Sequence, residues 1–119
     1  MIVLLVDDDP TIRLAAAFAL RAAGHTVLEA ATGAEAMTLA QDASIDMLLM
    51  DVLLEEEDGQ AVAAALRALS HLSAVPVVFL TGRAHAERQR LLDGGAAGVL
   101  AKPFDIGTLA RDVERFLAR

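Results

Sequence analysis

Charged and hydroxyl side chains follow four apolar segments of this sequence, each at the point where the segment ends. They are Asp7 and Asp8 after the first segment, Asp51 after the third, Thr81 after the fourth and Lys102 after the fifth. If these segments are parallel strands of one sheet, their carboxyl ends meet at one edge, which is where open α/β sheets bind ligands. The three carboxylates are then neighbours, and they repel one another unless a cation lies between them.

Carboxylate oxygens that converge on one open site are the ligands that Mg²⁺ prefers. The sequence therefore predicts a magnesium site formed by Asp7, Asp8 and Asp51. A lysine ammonium and a threonine hydroxyl beside the metal complete a pocket for a phosphoryl group, with Asp51 attacking in line as the nucleophile. The alternative is that Asp51 only ends a strand or caps the next helix. The choice of lysine at position 102 is weak support for a special role, because the other nine cationic side chains are arginines.

Five strands that alternate with five helices are expected to position these residues. The predicted strands cover residues 2–6, 26–30, 45–50, 75–80 and 97–100. Their apolar, non-alternating composition is typical of a parallel sheet that is covered on both faces. Right-handed crossovers then give a doubly wound α/β fold.

The first and last helices carry the clearest signals. Asp9 and Pro10 predict the start of the first helix, with Asp9 as its cap. Leu14 and Phe18 lie off the inward stripe of this helix, so they are expected either to be exposed to a partner or to be partly buried against a neighbour. The last helix has five apolar residues at helical spacing that predict one buried stripe: Ile106, Leu109, Val113, Phe116 and Leu117.

Length and composition favour one domain over residues 1–119, with 55% hydrophobic residues to build its core. A net charge of −7 argues against direct binding to nucleic acid, which needs clustered cations. Cysteine is absent, which excludes disulfides and thiol chemistry. The first apolar run is too short for a signal peptide, and no run approaches a membrane span, so we expect a cytoplasmic protein that does not enter a membrane.

The motifs at the strand ends resemble the receiver domain of bacterial response regulators, and the resemblance covers all 119 residues. Each motif alone is weak, but together they occur in the expected order. They are Leu5-Val6-Asp7-Asp8-Asp9-Pro10, Met50-Asp51 with Gly59 eight residues later, Leu80-Thr81-Gly82, and Lys102-Pro103-Phe104. The resemblance implies a flavodoxin-like sheet, (βα)5, with strand order 2-1-3-4-5.

The resemblance also implies how Mg²⁺ and the phosphoryl group are held. Asp51 would be the phosphoacceptor, and it would bind Mg²⁺ together with Asp7, Asp8 and the backbone carbonyl of Leu53. Thr81 would donate a hydrogen bond to a phosphoryl oxygen. Lys102 would pair with the phosphoryl group, and its bond to Pro103 is expected to be cis. The residues two positions after the acceptor and after the hydroxyl, Leu53 and Arg83, would flank the path of attacking water.

The partners implied by the resemblance are proteins. A sensor histidine kinase or a histidine phosphotransfer protein would donate the phosphoryl group, and phosphorylation would change binding to a downstream target. A homodimer is possible. The protein would catalyse only its own phosphorylation and dephosphorylation, so it is not expected to be an enzyme that acts on external substrates.

Two positions depart from the family pattern. Val99 stands three residues before the lysine, where the family usually has an aromatic residue whose inward turn is part of the switch. Glu55 stands four residues after the acceptor, where proline is frequent, and it opens an acidic run that ends at Asp58. That run is either a solvated loop or a charge filter that selects partners.

Three other functions compete with the signalling switch. An aspartate-nucleophile phosphatase would need an acid two residues after Asp51, where this chain has Leu53. A flavin-binding module would need stacking aromatics, and this chain has no Trp or Tyr. A degenerate receiver that serves only as an interaction module is disfavoured because all five key residues are present.

Overall fold

The computed structural model describes residues 1–117 and shows a five-stranded parallel sheet with helices on both faces. The sheet strands are β1 (Ile2–Val6), β2 (Thr26–Ala30), β3 (Met47–Asp51), β6 (Val77–Thr81) and β7 (Gly98–Ala101). A two-stranded antiparallel hairpin, β4 (Leu53–Leu54) and β5 (Glu57–Asp58), follows β3. The helices are α1 (Pro10–Ala22), α2 (Gly33–Ala40), α3 (Gly59–Arg67), α4 (Ala84–Asp93) and α5 (Leu109–Glu114), with a 3₁₀ turn at Ser70–Leu72.

The strand order in the sheet is β2-β1-β3-β6-β7, and every pairing is parallel. Without the short hairpin, this is the order 2-1-3-4-5 that the sequence predicts. The chain thus forms the doubly wound fold, in which ligands bind at the carboxyl edge on either side of the point where the strand order reverses. That point lies between β1 and β3.

The two faces of the sheet bury two separate apolar cores. Neighbouring residues of β1 alternate between them, with Val3 and Leu5 in the core under α1 and α5. Leu4 and Val6 point into the core under α2, α3 and α4. Because both faces are covered, the central strands are apolar throughout and only their ends carry polar side chains.

The first helix begins as predicted. The carboxylate of Asp9 accepts hydrogen bonds from the backbone N–H groups of Thr11 and Ile12, and Pro10 occupies the first turn. Leu14 and Phe18 are 69% and 64% exposed, which settles the choice between exposure and partial burial.

The last helix is shorter than predicted at both ends. Leu109 and Val113 are buried in it, and Phe116 and Leu117 are partly buried after its end, whereas Ile106 is half-exposed and precedes it. The cause at its start is local, because a carboxylate oxygen of Asp105 accepts the N–H of Gly107 at 2.7 Å. This hydrogen bond forms a turn that delays the start of α5.

The acidic run after β3 is exposed, and two of its four side chains also accept backbone hydrogen bonds. Glu57 accepts the backbone N–H of Gly33 at 2.9 Å, which ties the hairpin to the start of α2. Asp58 caps α3 by accepting the N–H of Gln60. Glu55 and Glu56 are exposed. Over residues 1–117, none of the helices has the length and apolarity that a membrane span requires.

Candidate functional site

The three acidic residues meet at the carboxyl edge of the sheet. In the parallel register Val6 lies beside Met50, so the residues that follow β1 are brought next to Asp51 at the end of β3. One carboxylate oxygen from each of Asp7, Asp8 and Asp51 lies within 4.8 Å of the others. Asp7 is fully buried, whereas Asp8 and Asp51 are partly exposed, so the cluster opens to solvent on one side.

Lys102 joins this cluster from the end of the last strand. Its Nζ lies 2.8 Å from Oδ2 of Asp7 and 3.0 Å from Oδ2 of Asp51. Burial opposes the charge of the ammonium, but the hydrogen bonds and charges of Asp7 and Asp51 outweigh it, so the pKa of Lys102 is raised. The peptide bond between Lys102 and Pro103 is cis, as expected.

Asp7 is held in place by the backbone and by the first helix. Its Oδ1 accepts the N–H of Asp9 at 2.9 Å, and its carbonyl oxygen accepts a hydrogen bond from Nη1 of Arg13 at 2.7 Å. Arg13 also forms an ion pair with Glu29 on β2. The side chain of Asp7 therefore has a fixed direction and needs no metal to order it.

One carboxylate oxygen of Asp51 accepts a hydrogen bond from Lys102, and the other accepts one from the backbone. Its Oδ1 accepts the N–H of Leu53 at 3.3 Å. Partial burial raises the pKa of the Asp51 carboxyl, and the hydrogen bond and charge of Lys102 oppose this rise without cancelling it. The result is a carboxylate with few donors around it and an open side, which suits a nucleophile.

Gly59 makes this arrangement possible. Its N–H donates to the carbonyl of Val52 at 2.7 Å, and a Cβ at this position would lie 2.1 Å from the carbonyl oxygen of Asp51. No other amino acid fits here without a backbone shift. The spacing of eight residues between Asp51 and Gly59 is thus explained by a close backbone contact.

Thr81 ends β6 and is nearly buried. In the parallel register Leu80 lies beside Asp51 and Thr81 lies beside Ala101, so Thr81 is placed between the end of β3 and the end of β7. Its Oγ1 donates to Oε1 of Glu87 at 2.7 Å and accepts the N–H of Arg83 at 3.1 Å.

Of the remaining predicted residues, Asp8 and Leu53 are accessible to solvent and Val99 is buried. Asp8 contributes to the acidic cluster, and within residues 1–117 its carboxylate has no hydrogen-bond or ion-pair partner. Leu53 is 73% exposed and its backbone N–H points to Asp51. Val99 is fully enclosed in β7 and packs in the core under α2, α3 and α4.

The sequence did not reveal two residues that support the site. Glu87 holds the hydroxyl of Thr81, and Arg13 holds the backbone of Asp7. Both residues lie on helices. Whether a helical side chain faces the end of a strand depends on where the helix begins, which the sequence does not fix closely enough. Arg13 follows Asp9 by one helical turn, which is the only signal that the spacing offers.

The side chains fit a divalent cation. Three carboxylates with oxygens close together carry more negative charge than the single ammonium of Lys102 neutralises. All the side-chain donors are oxygens, and one side is open to water, which is the ligand set typical of Mg²⁺. Asp7, Asp8 and Asp51 are the side chains in position to hold it.

Comparison with known proteins gives a consistent answer. The family model for the response regulator receiver domain matches residues 3–114. The chain is 36% identical over 115 residues to a gliding motility regulatory protein of Myxococcus xanthus, covering 95% of this chain and 15% of that protein. It is 36% identical over 118 residues to the transcriptional regulatory protein PrrA of Mycobacterium tuberculosis, covering 98% of this chain and 50% of that protein. The chain thus spans half or less of the length of these curated relatives.

Solved structures with the same fold cover nearly the whole chain. The chemotaxis response regulator CheY4 of Vibrio cholerae is 34% identical, with a TM-score of 0.88 and coverage of 98% of both chains. The receiver domain of the sensor histidine kinase PA1611 of Pseudomonas aeruginosa is 32% identical, with a TM-score of 0.86 and coverage of 99% of this chain and 98% of that one. That structure has a magnesium ion coordinated in its active-site cleft.

Proposed function

This chain belongs to the response regulator receiver domain family, and we propose on that basis that Asp51 is the residue that accepts the phosphoryl group. Receiver domains are phosphorylation-controlled switches of two-component signalling. The observation that carries the assignment is the contact of Lys102 with both Asp7 and Asp51 beside a partly exposed third carboxylate. This is the charge pattern that a bound phosphoryl group and a divalent cation require.

The reaction is an in-line displacement at phosphorus. An oxygen of Asp51 forms a bond to the phosphorus of a phosphohistidine while the bond from phosphorus to the imidazole nitrogen breaks. Asp7, Asp8, Asp51 and the backbone carbonyl of Leu53 would hold Mg²⁺, which would supply positive charge to neutralise the phosphoryl oxygens. Lys102 pairs with one phosphoryl oxygen, and the hydroxyl of Thr81 donates to another.

The chain acts on its own acceptor and not on external phosphate esters. Leu53 occupies the position where an aspartate-nucleophile phosphatase would have its acid/base aspartate. An exposed apolar side chain there neither donates a proton to a leaving group nor takes one from water. The proposal also includes a cytoplasmic location, where soluble phosphodonor proteins meet the domain.

A helix of the phosphodonor protein is the partner that we expect at α1. Leu14 and Phe18 expose large apolar side chains on this helix, and Ile106 is exposed in the loop that follows Lys102. A groove of about 380 Å³ lies between α1 and that loop, and Lys102 and Ile106 are among its lining residues. An apolar surface that is continuous with Lys102 suits a helix that must present a phosphohistidine to Asp51.

The direct test is phosphorylation by a small acyl phosphate in the presence of Mg²⁺, measured by intact mass. We expect the mass of one phosphoryl group to be added to the parent protein. The Asp51→Asn variant is expected to show no increase, because an amide is not a nucleophile for this reaction. Asp42→Asn is the matched control, because Asp42 is exposed and lies in the turn after α2.

Full labelling of the Asp51→Asn variant would show that another residue is the acceptor. The same experiment with EDTA in place of Mg²⁺ tests the metal, and we expect the mass increase to be lost. A mass increase of unchanged size and rate in EDTA would contradict the proposed role of the acidic cluster.

A further inference from the structure

The hydroxyl of Thr81 is already used in the unphosphorylated structure. It donates to Oε1 of Glu87 at 2.7 Å, because a carboxylate has only acceptor atoms, and it accepts from the N–H of Arg83. A hydroxyl carries one hydrogen. It therefore cannot donate to Glu87 and to a phosphoryl oxygen on Asp51 at the same time.

Glu87 connects Thr81 to α3 through Arg90. Its other carboxylate oxygen, Oε2, accepts from Nη2 of Arg90 at 3.0 Å, one helical turn further along α4. Nη1 of Arg90 donates to Oε1 of Gln60, in the first turn of α3. A continuous chain of hydrogen bonds thus runs from the end of β6 through α4 to α3, and we call Thr81, Glu87, Arg90 and Gln60 the polar relay.

This chain has valine, not an aromatic residue, at the position where the family usually carries the side chain that responds to phosphorylation. Val99 is small and β-branched, it is fully enclosed in the core, and it offers no aromatic ring that changes between inward and outward positions. Glu87, in contrast, is only partly buried, and the side chain of Arg90 is 55% exposed. Glu87, which contacts Thr81, and Arg90, which contacts Glu87, therefore both have room to move.

We propose that Glu87 is a positioning residue that holds the hydroxyl of Thr81 until Asp51 is phosphorylated, and that its release changes the contact between Arg90 and Gln60. This inference rests on the proposed function, because it requires a phosphoryl group on Asp51 as the competing acceptor. When Thr81 turns to the phosphoryl group, Glu87 loses its donor and the bonds that orient Arg90 are weakened. Phosphorylation of Asp51 thereby changes the surface formed by α3 and α4.

The structure provides space for that change at Gln60. A cleft of about 120 Å³ lies between α3 and the residues that follow α4, with Gln60, Arg67 and Gly94 in its lining. Gly94 has no side chain to fill it, and a Cβ there would lie 3.0 Å from Nε2 of Gln60. A side chain at position 94 would crowd that amide, so the glycine leaves room for Gln60 beside the cleft.

Three alanine variants on α4 separate the steps. Glu87→Ala removes the acceptor that competes for Thr81, so the phosphorylated fraction at subsaturating acyl phosphate and Mg²⁺ is expected to rise about threefold or more, as for loss of a charged hydrogen-bond acceptor. Arg90→Ala keeps the bond between Thr81 and Glu87, so its phosphorylated fraction is expected to stay at the parent's. Arg88→Ala is the matched control, because Arg88 is exposed and has no ion pair within residues 1–117.

The response of α3 is measured at the side-chain amide of Gln60. The chain has three glutamines and no asparagine, so a ¹⁵N-labelled sample gives three pairs of side-chain amide signals. We expect the Gln60 pair to shift on phosphorylation in the parent and in Arg88→Ala, and this shift to be largely lost in Glu87→Ala and Arg90→Ala. Gln41, at the end of α2, serves as the internal reference.

The outcomes distinguish this inference from the proposed function. If intact mass shows no phosphoryl group on the parent, the proposed function is wrong and the relay is wrong with it. If the parent is phosphorylated and Glu87→Ala retains both the parent's phosphorylated fraction and the full Gln60 shift, only the relay is wrong. Glu87→Gln covers the case in which the alanine variant fails to fold. Its single oxygen cannot replace both Oε1 and Oε2, so a Gln60 shift of full size in that variant also overturns the relay.

Discussion

Nζ of Lys102 lies 2.8 Å from Oδ2 of Asp7, so a lysine that follows the last strand neutralises the buried carboxylate that follows the first. Asp7 is fully buried, and the Lys102 side chain is 15% exposed. An unpaired buried carboxylate is costly, because it loses its hydration without gaining a partner. The same ammonium contacts Asp51, so Lys102 links the ends of β1, β3 and β7 without a metal or a phosphoryl group.

Lys102→Met is expected to destabilise the metal-free protein by about 3 kcal/mol at pH 7. The variant keeps most of the side-chain volume but leaves Asp7 buried without its cation. Urea unfolding measures the loss. The double variant with Asp7→Asn is expected to recover part of it, since the uncompensated charge is gone. Equal stability of the parent and Lys102→Met would show that Lys102 does not neutralise Asp7.

Asp8→Asn is expected to stabilise the metal-free protein by about 1 kcal/mol or less at low salt. The Asp8 carboxylate has no partner within residues 1–117 and repels Asp7 and Asp51, so loss of its charge relieves the cluster. Asp7→Asn is expected to lower stability, because that change weakens the bond to Lys102. Melting curves in EDTA measure both.

Addition of Mg²⁺ provides the control for this comparison. The metal binds the folded site and raises the melting temperature by mass action. We expect the increase to be smaller in Asp8→Asn than in the parent, because one charged ligand is lost. An Asp8→Asn variant that is less stable than the parent in EDTA and that responds fully to Mg²⁺ would contradict the repulsion among the three carboxylates.

Much of the site can be predicted from the sequence, because the positions where the apolar strands end can be predicted. Apolar runs that stop at Asp7, Asp51 and Thr81 place those residues at one sheet edge once the strands are known to be parallel. The position of Lys102 follows from the same rule. The three carboxylates were expected to repel one another without metal, and the structure shows that Lys102 offsets part of that repulsion.

Other features depend on side-chain directions that no local pattern sets. The bond between Thr81 and Glu87 requires the first turn of α4 to pass over the end of β6. The bond between Glu57 and Gly33 joins segments 24 residues apart and makes an apparently solvated acidic run partly structural. The turn at Asp105 overrides the apolar spacing that predicted Ile106 as part of the last helix.

Gly59→Ala is expected to destabilise the fold by about 2–3 kcal/mol and to reduce phosphorylation of Asp51. The added methyl group would lie 2.1 Å from the carbonyl oxygen of Asp51, and only a backbone shift at the acceptor relieves that contact. Gly82→Ala is the matched control at the same sheet edge, because a Cβ there has nothing within 4 Å. Its stability is expected to lie within about 0.5 kcal/mol of the parent's. Equal effects of the two substitutions would show that the contact with Asp51 is not what requires glycine.

The lifetime of the phosphorylated form depends on what flanks the acceptor. The backbone N–H of Leu53 donates to Asp51, and the backbone N–H of Arg83 donates to Thr81, so both residues border the site. Leu53 is 73% exposed, and its apolar side chain neither orients nor activates water. Arg83 is also exposed, and within residues 1–117 its guanidinium has no hydrogen bond or ion pair. That cation is available to a phosphoryl group.

We therefore expect slow autodephosphorylation, with a phosphoryl group that persists until a partner protein removes or relays it. Water must approach in line with the bond between Asp51 and phosphorus, and neither flanking side chain is a general base. Arg83→Ala removes a cation that is able to lie across the phosphoryl oxygens, and Leu53→Asn supplies a polar group that is able to orient water, so both variants are expected to decay faster than the parent. The measurement is the loss of phosphorylated mass with time in Mg²⁺ after removal of the acyl phosphate, with Arg88→Ala as the control for loss of a cation. Decay of both variants at the parent's rate would show that neither residue shields the aspartyl phosphate.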